Sequence, residues 1–341
     1  IGLSYVPVVS QKDGFGYGNG AFVQNKGEET STAHWSDGKY PHAGCDYLTA
    51  RGLNALVYLT GNADPYVFRG ERLVVPSSFG LYSNAKDFSA DFVFCAGGNF
   101  RAMSPGTTYH LRGTIKAVHY LYSVSQKKYD DLGEDSPTYN YNVGDASTLC
   151  LDASISGGGL LGFGMSSEST PANRSVTFGR VELNGDNVGF TGKMSVSCWQ
   201  ADTIPASWKT FFADDPFVPG PNSNITLRVV SPTGLGGARE AFAFDSLCLG
   251  NACRLEIAES ATFAEPTRGW YFPATAYLKV QEGKKAVVKQ TLTFGDGARL
   301  TKEGLGVLAL GGEVCVDAGA VIRPVLQVAE GALGFASATA L

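Results

Sequence analysis

Short apolar runs recur along this chain, each cut off by Gly, Asn, Pro or Ser before it reaches helical length. Between Tyr47 and Tyr122 they read "ALVYLT", "RLVVP", "FGLYS", "DFVFCAGG" and "TYHLRGTIKAVHYLY", the last read as a strand pair. A second series occupies residues 147–199 and a third runs from Ile225 onward. The third is the most regular. In "AYLKVQEGKKAVVKQTLTFGDGARLTKEGLGVLALGGEVCVDAGAVIRPVLQVAEGALGF", strands of four to six residues alternate with one- or two-residue Gly, Asp or Glu turns. Strands so short, with no clear Asn-Gly hairpin turn between them, predict a chain that coils in one direction, each strand lying parallel on its equivalent one coil earlier. Leu300, Val307, Leu308, Leu310, Val314 and Val316 are the expected inward positions. A β-sandwich is the competing architecture, but it favours longer strands joined as hairpins.

The pattern divides the chain into four regions. Residues 1–46 read as a strand, loop and capping region. Residues 47–199 read as β-solenoid, interrupted by the polar, acidic stretch 126–146, expected to be a long loop. Residues 200–224, with four prolines and a helical turn expected around Trp208 to Ala213, read as an insertion. Residues 225–341 continue the solenoid and stop in mid-pattern at "GFASATAL", so either more protein follows or an uncapped last coil meets a neighbouring subunit, and self-association through coil ends or surface loops is the expectation on the second reading.

Composition narrows the class. Glycine numbers 43 against 3 methionines, and only 17% of residues are charged, which suits strands and tight turns better than long helices. A net charge of -5 provides no basic field for nucleic acid, and no apolar run is long enough to span a bilayer as a helix. The seven cysteines, Cys45, Cys95, Cys150, Cys198, Cys248, Cys253 and Cys315, include no CxxC pair and therefore no zinc ribbon. Their odd number leaves at least one thiol unpaired within the chain. Buried thiols acting as small hydrophobes are one reading, and partial disulfide pairing in an exported protein is the other.

Two stretches carry a resemblance. In "GARLTKEGLGVLALGGEVCVDAGA", residues 297–320, the positions Lys302, Gly304, Gly306, Leu308 and Leu310 follow a Lys-x-Gly-x-Gly and alternating-Leu pattern. In residues 179–196, Leu183, Gly185, Asn187, Phe190, Thr191 and Gly192 follow its sequel, and "ISGGGLLGFG" is similar to the Gly-rich lead-in. Together these resemble the autotransporter-associated β-strand repeat. Val307 and Ala309 depart from the small polar residues usual there. The resemblance implies a right-handed parallel β-helix belonging to a large secreted or surface-exposed protein, often bacterial, and it implies no activity.

Candidate chemistry is sparse. β-Helix enzymes acting on polysaccharides place carboxylates on one outer face, so Asp130, Asp131, Glu134 and Asp135, and separately Asp214 and Asp215, are candidates. A polysaccharide lyase or glycoside hydrolase would need several of Asp130, Asp131, Asp152, Asp214 and Asp215 to converge beside a basic residue. Tyr129, Tyr139 and Tyr141 in the acidic stretch and Trp208 in the insertion are candidate contacts for a polysaccharide or a host or cell-surface ligand. His34, His42, Cys45 and Asp46 contain zinc-ligating types at a spacing that fits no known motif, and Trp35, Tyr40, Pro41 and Tyr47 around them predict a lid over the first coil. The glycine runs precede no helix, so they predict no phosphate cradle. The expectation is a non-enzymatic structural or adhesive β-helix of the cell exterior, without metal or cofactor. A hydrolase or lyase on the same scaffold and a trimeric tailspike-like binder are the alternatives.

Overall fold

A computed structural model describes residues 8–9, 22–25, 28–29, 35–49, 54–60, 65–76, 78–82, 86–95, 98–102, 106–123, 128–131, 137–143, 147–165, 178–197 and 224–335. Its strands form a parallel β-helix. The first sheet has fourteen strands, twelve of them in one path from Val8–Val9 through Tyr47–Leu48 to Val325–Val328. The second has twelve, ending at Val314–Val316. A third, of four strands, begins at Ala261–Phe263 and gives the later coils a third side. Cys253 lies beside Ala276 and Thr275 beside Arg299, so a plain coil takes about two dozen residues.

Period-two alternation builds the interior. In the first sheet Tyr109, Leu149, Val181, Leu227, Leu255 and Leu278 stack in one inward column, each in register with the next and fully buried. Each such aliphatic side chain contributes about 1.5–3 kcal/mol by leaving water. Lys302 is next in that column and is also buried. Its ammonium group donates to the carbonyls of Glu303 at 2.8 Å, Gly304 at 2.6 Å and Glu330 at 3.1 Å. Burial still lowers its pKa below the ordinary lysine value.

This explains the Lys-x-Gly-x-Gly pattern physically. The lysine reaches into the corner between the first and third sheets, and Gly304 turns that corner at φ +74° with the Val280 carbonyl against it. Leu308 and Leu310 then enter the third sheet facing inward. The related stretch at 183–192 makes the equivalent corner between the first and second sheets. Buried Asn187 accepts from the Ile155 amide at 2.8 Å and donates to the Gly234 carbonyl at 2.9 Å, joining three coils.

Several expectations are corrected. Val307 points outward, 38% exposed, whereas Leu300, Leu308 and Leu310 are buried and Val314 packs on the core. Adjacent residues in a strand face opposite ways, so Val307 and Leu308 cannot both be inward. Val316, by contrast, continues the inward column of the buried Phe294 and is 46% exposed because the described residues place no further strand over it.

Residues 126–146 are not one loop. Lys128–Asp131 pairs with Tyr120–Ser123 as an antiparallel hairpin, and Pro137–Val143 is a strand of the second sheet between Gly98–Ala102 and Leu160–Met165. Parallel partners on both sides satisfy that backbone despite its loop-like composition. The stretch "TYHLRGTIKAVHYLY" is likewise not a hairpin. It holds one strand, Thr108–Ala117, then a corner, then the first strand of the inserted hairpin. The 1–46 region already contributes coil strands, because Val8–Val9 pairs with Tyr47–Leu48 and Phe22–Asn25 with Asn54–Thr60. Beyond the insertion the stack simply resumes, with Phe178–Leu183 directly beside Asn224–Val229.

Candidate functional site

The outer face of the first sheet carries the densest chemistry. Strand register places Asp87, His110, Cys150, Glu182, Arg228, Glu256, Lys279 and Glu303 in one column across successive coils. From Glu182 onward the charge alternates. Glu256 accepts from Arg180 at 2.9 and 3.2 Å and from Gln281 at 2.8 Å, and it lies 3.4 Å from Lys279 and 3.6 Å from Arg228. Burial alone would raise its pKa, but these hydrogen bonds and charges outweigh burial and bring it down to about 2. Arg254 pairs with Glu303 at 2.7 Å and packs over the Tyr277 ring.

Nearer the N-terminus, Arg112 grips Asp87 with contacts of 2.8 to 3.0 Å and reaches Asp152 at 3.0 Å. His110 Nδ1 lies 2.7 Å from Asp152, whose other oxygen accepts from Asn184 at 2.9 Å. Cys150, His110 and Asp152 have the composition of a nucleophilic triad. Burial, and after it the charge of Glu182, push the Cys150 thiol up to about 12, the direction opposite to that of an activated nucleophile. Burial raises Asp152, yet the bonds from Asn184 and His110 win and hold it below the ordinary carboxylate value.

A second feature is a groove of about 600 Å³ along the corner between the first and second sheets, lined by His119, Gly158, Thr191, Ala238, Arg239, Glu240 and Ala241. These residues come from four successive coils, so the groove runs along the solenoid axis. Its floor is tightly built. Gly192 lies where a Cβ would meet the Gly159 carbonyl oxygen at 1.9 Å, so this corner accepts only glycine. The amide of Thr191 donates to Gly157 at 2.9 Å and that of Gly237 to Phe190 at 3.0 Å.

Beneath the floor, the buried Arg268 donates to Gly192 at 2.9 Å, Gly237 at 3.3 Å and Ser246 at 3.5 Å, with its guanidinium 5.8 Å from the Phe190 ring centre. Burial, with the nearby Arg239 charge adding to it, lowers its pKa to about 10, so it stays protonated at neutral pH. Arg239 donates to the Thr191 carbonyl, and its own amide donates to Thr267 Oγ1 at 2.8 Å. The hairpin that follows His119 and the 230–242 segment flank the groove. That segment holds the short 3₁₀ turn Pro232–Leu235, capped by Ser231.

The predicted site residues fall as follows. Tyr129, Asp130 and Asp131 lie on the hairpin, with Asp131 opposite Tyr120 and Tyr129 opposite Tyr122. Tyr139 and Tyr141 lie on the sheet strand Pro137–Val143 rather than on a protruding loop. Glu134, Asp135, Trp208, Asp214 and Asp215 lie outside the described residues. Asp152 meets Asp87 across Arg112, an arrangement that pairs its charge.

The stretch around Trp35 to Leu48 joins the first and second coils rather than covering the first. Trp35 is buried and packs edge-on against Tyr47 at 4.9 Å. Asp46 is buried in a two-pronged pair with Arg72 at 2.9 and 2.7 Å. His42 Nε2 faces both Asp37 at 3.4 Å and the Cys45 sulfur at 4.0 Å, while Nδ1 faces the Ala43 carbonyl. Asp46 is therefore committed elsewhere, and His34 lies outside the described residues. Among the described residues no three His, Cys, Asp or Glu side chains gather as a metal site, and the six described cysteines are free thiols. No protein family, curated protein or solved structure matches the chain.

Sequence reading missed both the charged column and the groove. Their members are separated by one or more coils of chain, and the coil lengths are unequal. The available signal was the strand-to-strand register, which requires the coil boundaries first.

Proposed function

We propose that this chain is a non-enzymatic structural and adhesive protein of the extracellular space or bacterial cell surface. The β-helix supplies stiffness, and the corner groove with its flanking hairpin supplies contact. One observation carries this reading. Asp152 and Glu256 on the outer sheet face are held below their ordinary pKa by cations and hydrogen bonds, and the Cys150 thiol beside them is held above its own. A glycosidase acid needs a raised carboxyl and a nucleophilic cysteine a lowered thiol, which are the opposite directions. The likeness of residues 179–196 and 297–320 to autotransporter-associated repeats supports the surface location.

Self-association through coil ends belongs to the same proposal.

Incubation with neutral and acidic polysaccharides, followed by assays for new reducing ends and for unsaturated uronate absorbance, tests the enzymatic side. No product is expected, together with saturable adherence of the purified chain to cells or matrix. Release of either product would replace this reading with a hydrolase or lyase. Sedimentation velocity at rising concentration tests association, and a monomer throughout would remove that element.

A further inference from the structure

We infer that the corner groove is a binding site for a neutral oligosaccharide lying along the solenoid axis. This rests on the adhesive reading above and names the ligand class for it. Direction comes from the construction. His119, Gly158, Thr191 and Arg239 belong to successive coils, and neighbouring strands stack about 4.8 Å apart, so the groove is about 15 Å long. That length suits several linked sugar rings better than one. Its volume of about 600 Å³ lies in the range of small-ligand sites.

The lining chemistry selects among ligands. Arg239 brings guanidinium donors, Glu240 brings carboxylate acceptors, and Thr191 and His119 can each serve as either. Sugar hydroxyls also donate and accept, so mixed walls satisfy them. A phosphate or uronate would face Glu240 as well as Arg239, and the chain is net acidic. A peptide bound by strand addition requires an open sheet edge, whereas this floor is a corner whose amides already bond between coils. Gly158, Ala238 and Ala241 keep the walls low, leaving width for a ring. The Arg268 bonds to Gly192 and Gly237 fix the spacing of two coil corners, so the site is formed before ligand arrives.

Calorimetric titration with cellohexaose, maltohexaose, mannohexaose and xylohexaose, with hexagalacturonate as the acidic comparator, tests this. At least one neutral hexasaccharide should bind, with affinity little changed by salt and weakened for its trisaccharide. Glu240→Ala and His119→Ala should each lower that affinity about tenfold, while Lys284→Ala, remote from the groove, should not. Glu240 is exposed, so its variant should melt like the parent, which separates lost binding from lost fold. Failure of all four neutral probes, binding indifferent to both groove substitutions, or salt-sensitive preference for hexagalacturonate would overturn the inference. Adherence to cells that survives both substitutions would leave the adhesive reading standing and remove the groove from it.

Discussion

Arg180 bonds through both terminal nitrogens to Glu256, 76 positions later in the chain and two coils away, passing over the coil that carries Arg228. Arg228 in turn lies within 3.6 Å of both Glu182 and Glu256. The column therefore ties non-adjacent coils together, an interaction that nearest-neighbour stacking alone does not provide.

Replacing Glu256 with Gln should expose this tie. The side chain is only 3% exposed, and its removal leaves Arg180 and Lys279 facing each other without the intervening charge. The expected loss is about 2 kcal/mol, below that of a fully buried pair because both cations reach solvent. Urea unfolding measured at neutral pH reads it directly.

The same carboxylate fixes an acid window. Its folded pKa, about 2, lies below the ordinary value of 4.5, so the unfolded chain binds the proton more readily across that interval. The stabilisation is complete above about pH 4.5 and falls away as the pH drops toward 2. Asp152, also lowered, acts in the same direction. Unfolding midpoints taken through this range should fall steeply for the parent and less steeply for Glu256→Gln.

Glycine substitutions should divide by position. Gly192→Ala forces a Cβ into the Gly159 carbonyl and should destabilise by more than about 1 kcal/mol. Gly334→Ala meets nothing within 4 Å and should fall within about 0.5 kcal/mol of the parent. Paired thermal melts compare the two, and equal melts would contradict the corner packing.

The described thiols should react in two classes. Burial pushes Cys95 and Cys248 up to about 12, and Cys253 is also buried, so these should resist thiol reagents at mildly alkaline pH until the chain unfolds. Cys45 and Cys315 are partly exposed and should react first. Timed alkylation with peptide mapping assigns each site.

The helical coiling was legible where coils are plain. From Tyr277 onward, each strand and turn repeats at nearly equal spacing, and the inward pattern of Leu300, Leu308 and Leu310 could be read by alternation. It was illegible at residues 137–143, where Tyr and Asn alternate as they do in loops, because the pairing that makes this a strand comes from residues 98–102 and 160–165. The candidate site was hidden for the same reason. Nothing local to His119 indicates that Arg239 will lie along the same corner, since a hairpin, an insertion and two coils intervene. The two-pronged hold of Arg72 on Asp46 was equally silent, being a contact between coils rather than a motif within one.

The corner between the first and second sheets admits a hairpin in one coil and a capped turn with a long segment in another, yet the strands on either side keep their partners. Length added at that edge leaves the register of the flanking first-sheet strands unchanged. The molecule therefore resembles a rack with fixed rungs and exchangeable fittings, and a foreign peptide grafted between Tyr122 and Tyr129 should be displayed without retuning the frame that carries it.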